Sequence, residues 1–240
     1  MMITDFTSPN HGARKPEQGH APEIDTLVIH YTGMMPTLRA RDWLCDPVSK
    51  VSAHYLLDED GTTWRMVAEE DRAWHAGVGC WRGWRDINSR SIGIELSNPG
   101  HDYGYRDFPD AQIETLIALT REILDRHPIP AHNVVGHSDI APDRKIDPGE
   151  RFPWAQLAAE GIGLWPDPGA AVDPGSPLYD APLVALSEIG YDTVEQTAET
   201  VVSAFQRRFR PSRFDGVLDD ETRRRIAQVH ALVAASGGSA

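Results

Sequence analysis

The sequence predicts an α/β protein: a central mixed sheet of about five or six strands with helices on its faces, followed by a small three-helix unit. Three observations predict it. Short, continuously apolar runs rich in β-branched residues lie between residues 24 and 97, as strands covered on both faces do. One long segment, 110–127, carries apolar residues at helical spacing. A proline-rich break at 166–182 separates this part from three short helical patterns.

Taken in order, residues 1–20 are polar, rich in Pro, Gly and Asn, and follow neither period, which predicts an N-terminal arm on the surface or without order. Ile24 to Tyr31 becomes continuously apolar and predicts a buried strand. Thr37 to Cys45 suits a short helix. Ser52 to Asp58 and Thr62 to Val67 flank Asp58-Glu59-Asp60-Gly61, a hairpin signal in which Gly61 supplies the positive φ. Ser91 to Ser97 reads as another short buried strand, with Glu95 in its middle. A carboxylate there asks for a chemical reason.

From Asp110 to His127 the residues Ile113, Leu116, Ile117, Thr120, Ile123 and Leu124 recur at helical spacing, and Pro128 ends the pattern. A further helix starts at Pro153 and runs to about Glu160, with Pro at its first turn and Gly161 at its end. Residues 166–182 hold five prolines and no periodicity, as a linker does. The helical patterns Leu183 to Ile189, Ala198 to Phe209 and Asp219 to Val233 then make a compact unit of about 55 residues, marginal alone by surface-to-volume scaling.

Composition narrows the function classes. A formal net charge of −13 and a pI near 5.1 argue against a general binder of phosphate backbone, which needs a basic face for counterion release. Nucleic acid is therefore not an expected partner. No apolar run approaches bilayer-spanning length, so membrane insertion is not expected. Cys45 and Cys80 are too few for a disulfide framework and read as buried thiols. The first residues lack the basic and apolar regions of a secretory signal, which makes a cytoplasmic location the expectation and a periplasmic one the alternative. The number of subunits is not encoded in any of these features.

The chemistry-bearing residues are histidines and carboxylates. His30 ends a buried strand, and His137 and Asp147 lie ten residues apart in a polar segment after a second apolar run. Two imidazoles and a carboxylate make a catalytic zinc set with an open fourth position for water. Spacing alone does not choose among His30, His54, His75, His132 and His137, and Asp139 and Asp143 compete with Asp147 as the oxygen ligand.

Five motifs in one order add to this reading: Leu27-Val28-Ile29-His30-Tyr31-Thr32, Val51-Ser52-Ala53-His54-Tyr55-Leu56, Ala73-Trp74-His75-Ala76-Gly77, Ser91-Ile92-Gly93-Ile94-Glu95-Leu96, and Gly136-His137-Ser138-Asp139-Ile140-Ala141-Pro142 with Lys145-Ile146-Asp147-Pro148-Gly149. Over roughly residues 20–165 the chain resembles the zinc-dependent N-acetylmuramoyl-L-alanine amidases of the AmpD and AmiD type, whose fold is shared with peptidoglycan recognition proteins. The resemblance implies His30, His137 and Asp147 as zinc ligands, one ion per catalytic domain, and Glu95 and Lys145 as the catalytic pair. It implies hydrolysis of the amide between a muramic acid lactyl group and L-alanine in muropeptides or peptidoglycan. Amide hydrolysis needs a nucleophile at neutral pH, charge stabilisation for the oxyanion and a proton for the leaving amine. Zinc, Lys145 and Glu95 match those three needs in turn.

His54 and His75 fall in family motifs that border the substrate cleft, and Trp74 and Arg90 belong to a Trp and Arg patch with Trp64, Trp81, Trp84, Arg82 and Arg85. Such a patch can pack on sugar or peptide and pair with carboxylates, or form core with a charged rim. The segment after 182 looks like the small three-helix peptidoglycan-binding domain. The expected organisation is thus an arm at 1–20, a zinc amidase domain at 21–165, a linker at 166–182 and a peptidoglycan-binding-like domain at 183–240. The alternative reading is a catalytically inactive sensor of the same fold. Such proteins usually lose a metal ligand, whereas all five implied residues stand here.

Overall fold

The computed structural model describes residues 3–167, 169–170, 172 and 177–237. In chain order the first elements are β1 (Ile3–Asp5), β2 (His11–Ala13), β3 (Thr26–Tyr31), α1 (Thr37–Leu44), β4 (Tyr55–Leu57), β5 (Thr63–Arg65) and β6 (Asp71–Ala73). Next come α2 (Ile87–Arg90), β7 (Ser91–Leu96), α3 (Asp110–Arg126), β8 (Val134–Gly136), α4 (His137–Ile140) and α5 (Trp154–Ala159). Four helices close the chain: α6 (Pro177–Asp180), α7 (Pro182–Ile189), α8 (Ala198–Phe209) and α9 (Asp220–Gly237).

One six-stranded sheet runs in the order β1-β5-β4-β7-β3-β8, and β2 pairs with β6 in a separate ribbon. β4 and β5 are antiparallel, joined through the predicted hairpin with Gly61 at φ 87, and the other pairings in the large sheet are parallel. The sheet is mixed, as the sequence predicts.

Alternation along the strands decides what each face carries. Leu27 and Ile29 of β3 and Ile92, Ile94 and Leu96 of β7 pack with Leu116, Leu119 and Ile123 of α3 in one core. Val28 points to the opposite face, where it meets Ala76, Val135 and Ile140. By the same alternation His30 shares the face of Val28, and Glu95 that of Gly93. The parallel register sets His30 directly beside Glu95. α3 therefore shields one face, and the polar pair is delivered to the other.

Two expectations differ from what is observed. In place of an arm, β1 adds to the sheet edge parallel to β5, β2 pairs with β6, and Ser8 and Asn10 are buried. Asn10 Nδ2 donates to the carbonyls of Asp46 (2.8 Å) and Val51 (2.9 Å), so this buried polar side chain ties down the 46–51 loop, which a search for apolar periodicity overlooks. In the predicted linker, α6 and the first residue of α7 are helical; residues 168, 171 and 173–176 of that stretch lie outside the described ones.

The last helices share a core with the sheet. Leu186, Val202, Phe205 and Ile226 join Val28, Trp81, Val135 and Ile140 in one buried cluster. Trp81 stacks edge-on against Tyr191 at 5.1 Å, Arg82 N donates to Gly190 O (2.8 Å), and Arg85 pairs with Glu195 (2.9 Å). Much of the Trp and Arg patch is thus a docking face for α7 and the loop that follows it. Cys80 is buried and Cys45 half-buried, both as free thiols. Among the described residues no helix is long and apolar enough to cross a membrane.

Candidate metal centre and active site

His30 arrives as the fifth residue of β3, and β8 brings His137 to it. Gly136 pairs with Ile29 at the end of β8, and the chain then turns into α4 with His137 at its first position. Asp147 returns on the following loop, anchored where Ser138 N donates to Asp147 O (2.9 Å) and where Tyr105 OH donates to Pro148 O (2.7 Å). The result is convergence on one point. His30 Nδ1 lies 2.9 Å from His137 Nδ1 and 3.1 Å from Asp147 Oδ2, and His137 Nδ1 lies 3.1 Å from the same oxygen.

The far side of each ring is engaged. His137 Nε2 faces Ala76 O at 2.9 Å and must donate to it, so in the neutral imidazole its Nδ1 is bare. His30 Nε2 lies 3.0 Å from His75 Nδ1. Burial and the neighbouring His137 push the His30 pKa down to about 4, despite the opposing pull of Asp147. Asp147 is held far below the usual carboxylate range, because the attraction of His137 and His30 outweighs its burial.

Two imidazole nitrogens and a carboxylate oxygen thus crowd together with too few hydrogens to satisfy them. Ligands at about 2.0–2.2 Å around a four-coordinate ion sit roughly 3.3 Å apart, so the set fits a divalent cation of the zinc kind with one position left open. Among the described residues it is the only such group of three. The alternatives left open by spacing go elsewhere: His132 meets Ser236 (3.0 Å), Asp139 pairs with Arg208 (2.8 Å), and Asp143 is exposed.

A cleft of about 610 Å³ opens over this point, and Glu95, Lys145, Trp74 and His75 line it together with His137 and Asp147. A hollow of about 720 Å³ on another face, over Glu69 and Arg126, contains none of the five implied residues. Glu95 Oε2 is buried and has no hydrogen-bond partner. Burial first, and the charge of Asp147 second, push the Glu95 pKa up to about 8, with Lys145 opposing. A carboxyl group beside a metal set, unpaired and poised near neutrality, is suited to moving a proton.

Two predicted substrate residues lie away from the cleft. His54 is fully buried: Gly93 N donates to its Nδ1 (2.9 Å), so its Nε2 carries the hydrogen and faces Asp71 O (3.2 Å). Arg14 Nη2, also 3.2 Å from that nitrogen, is a second donor and makes only a contact. Arg90 pairs with Asp25 and lies 4.0 Å over the Trp84 ring, at a separate hollow.

Residues that the sequence analysis overlooks support the site from behind. Asn88 Oδ1 accepts from His75 N (3.0 Å) and Ala76 N (2.8 Å), which fixes the loop that presents the His75 ring and the Ala76 carbonyl. Ser91 Oγ lies 3.1 Å from His75 Nε2. The available signal was a polar run, Asn88 to Ser91, at the entrance of a largely buried strand.

The family model described as N-acetylmuramoyl-L-alanine amidase matches residues 20–150. N-acetylmuramoyl-L-alanine amidase AmiD of Escherichia coli K12 is 39% identical over 237 residues, covering 87% of this chain and 83% of that protein. 1,6-Anhydro-N-acetylmuramyl-L-alanine amidase AmpD of the same organism is 38% identical over 169 residues, 61% of this chain and 90% of its own. Among solved structures, E. coli AmiD in complex with the substrate anhydro-N-acetylmuramic acid-L-Ala-D-γ-Glu-L-Lys superposes with a TM-score of 0.77 at 38% identity, covering 93% and 94% of the two chains. AmpDH3 of Pseudomonas aeruginosa in complex with anhydromuramic pentapeptide gives 0.76 at 34% identity, covering 90% and 94%. The chain belongs to the N-acetylmuramoyl-L-alanine amidase family.

Proposed function

We propose that this chain uses zinc to hydrolyse the amide between the lactyl group of N-acetylmuramic acid, anhydro or ordinary, and the L-alanine of a muropeptide in peptidoglycan turnover and recycling. The observation that carries the reading is the convergence of His30 Nδ1, His137 Nδ1 and Asp147 Oδ2 within 3.1 Å of one another, in a cleft also lined by Glu95. The complexes of E. coli AmiD with its substrate and of P. aeruginosa AmpDH3 with anhydromuramic pentapeptide support the substrate class.

His30, His137 and Asp147 would hold the ion, which when bound acidifies water and polarises a carbonyl. Glu95 accepts the proton of the attacking water on its unpartnered Oε2 and passes it to the L-alanine nitrogen as the C–N bond breaks and the new C–O bond forms. Its raised pKa suits both halves of that cycle. Lys145 offers an ammonium to the negative charge that grows on the carbonyl oxygen. The inactive-sensor alternative loses its usual basis, since ligands and proton carrier stand together.

Incubation with purified anhydro and non-anhydro muropeptides, followed by mass spectrometry, tests the reading. Release of a stem peptide with a free L-alanine amine is the expected result. Cleavage at a peptide bond within the stem, or at the glycan, contradicts it.

A further inference from the structure

We propose that His75 is a positioning residue for the metal centre, and that Ser91 acts through it to fix which nitrogen of His30 faces Asp147 and His137. The proposal rests on the reading of that group as a metal site.

The hydrogen-bond chain runs one way because its first hydrogen has a single destination. Ser91 Oγ lies 2.6 Å from Ile87 O, and a carbonyl oxygen only accepts, so the hydroxyl hydrogen is committed there. Toward His75 Nε2, at 3.1 Å, Oγ is then the acceptor and the ring nitrogen must carry a hydrogen. In the neutral imidazole that leaves His75 Nδ1 bare, ready to accept from His30 Nε2 at 3.0 Å. His30 in turn keeps its Nδ1 lone pair for the point shared with His137 and Asp147.

The opposite tautomer breaks the chain at its far end. A hydrogen on His30 Nδ1 would occupy the metal position, turn bare Nε2 toward His75 and require a hydrogen on His75 Nδ1. His75 Nε2 would then meet Ser91 Oγ as two acceptors with no hydrogen between them. Ser91 and His30 are buried at 0% and 1% exposure and His75 at 8%, so water does not repair the defect cheaply.

Shape selects the same arrangement. A Cβ added at Gly93 would stand 2.4 Å from His75 Cγ, so the glycine in β7 is the seat on which the imidazole lies flat. The polar partners behind metal-binding histidines commonly tune metal affinity by about 10–100-fold.

Zinc affinity measured by competition with a chromogenic chelator, on wild type, Ser91→Ala, His75→Leu and His75→Asn, tests the proposal together with imidazole ¹⁵N NMR of the metal-free protein. Ser91→Ala should weaken zinc binding by about 10–100-fold although it removes no atom that touches His30. His75→Leu should weaken it at least as much, and His75→Asn should recover part, since its amide oxygen can stand in for Nδ1. The NMR should place the His30 hydrogen on Nε2 in wild type and show a mixture of the neutral Nε2–H and Nδ1–H tautomers in Ser91→Ala. If His75→Leu fails to fold, Ser91→Ala alone decides.

The proposal is overturned if wild type binds one zinc and both Ser91→Ala and His75→Leu match its affinity. A rise in KM with zinc affinity unchanged also overturns it, since that marks a substrate contact. Failure of the wild type itself to bind zinc removes the metal reading and the proposal with it.

Discussion

Glu95→Ala is expected to lose about two to four decades of turnover on a muropeptide while the fold and one bound zinc per chain remain, the usual worth of a positioned acid or base. The reason lies in where β7 puts the carboxyl group. It stands beside His30 in the parallel register, in the cleft, with Oε2 buried and unbonded. A carboxylate whose role was to anchor an arginine would have that arginine as a partner. Lys145→Ala should lose turnover in the same way, through the charge that develops on the carbonyl oxygen.

The same group gives a pH signature in the metal-free protein. Its ordinary pKa of 4.5 is pushed up to about 8 in the fold, so between those values the folded state keeps a proton that the unfolded state has released. Stability then falls as pH rises through that window, and the cost is complete above it. Glu95→Gln removes the cost and should raise the melting temperature of the metal-free protein at pH 8 with little change below pH 4.5. Near wild-type turnover in Glu95→Ala, or no difference between the two pH values in Glu95→Gln, contradicts the role assigned.

Arg208→Met is expected to destabilise the protein by about 3–5 kcal/mol, the range for stranding one member of a buried ion pair. Asp139 sits in the four-residue helix that His137 begins, and its Oδ2 accepts from Arg208 Nη1 (2.8 Å) and Gly136 N (2.8 Å). Its Oδ1 accepts from Tyr191 OH (2.6 Å), and Arg208 also donates to Val134 O (2.9 Å) and lies 4.0 Å over Trp154. The guanidinium from α8 therefore neutralises a carboxylate two residues from His137. Asp139→Asn should recover part of the loss in the Arg208→Met background, because it removes the stranded charge. Denaturant unfolding reads both numbers. A loss under about 1 kcal/mol for Arg208→Met would place the pair among the marginal ones.

That contact bears on how the expected domain at 21–165 and the unit at 183–240 depend on each other. A chain cut near Trp165 would keep His30, His137, Asp147, Glu95 and Lys145, yet it would strand Asp139 and uncover the side of the core that Phe205, Val202 and Leu186 close. We propose that the helices after 177 are first of all part of the catalytic unit's fold, whatever wall fragment they also contact.

How much of this was legible in the sequence depends on range. β3, β7, the β4–β5 hairpin and α3 were readable because each carries its own periodicity, and the structure places them within a few residues of the predicted bounds. β1, β2 and β6 are three residues each and polar enough to pass as loop; partners elsewhere in the chain make them strands. His30, His137 and Asp147 could be singled out only through the family motifs, since nothing in their spacing separates them from the eight other histidines and several aspartates. The bonds of Ser91 to His75 and of Asp139 to Arg208 had no local signal, because what pairs them is the approach of segments 16 and 69 residues apart.

The claim on which the rest depends is that one ion at His30, His137 and Asp147 carries out the hydrolysis. It is tested most directly by adding zinc stepwise to chelator-stripped protein and following release of peptide from a muropeptide. Activity should rise from near zero in proportion to zinc and level off at one equivalent per chain, while His137→Ala neither holds the ion nor turns over. Full activity in the stripped protein, or stoichiometric zinc retained by His137→Ala, would contradict the account.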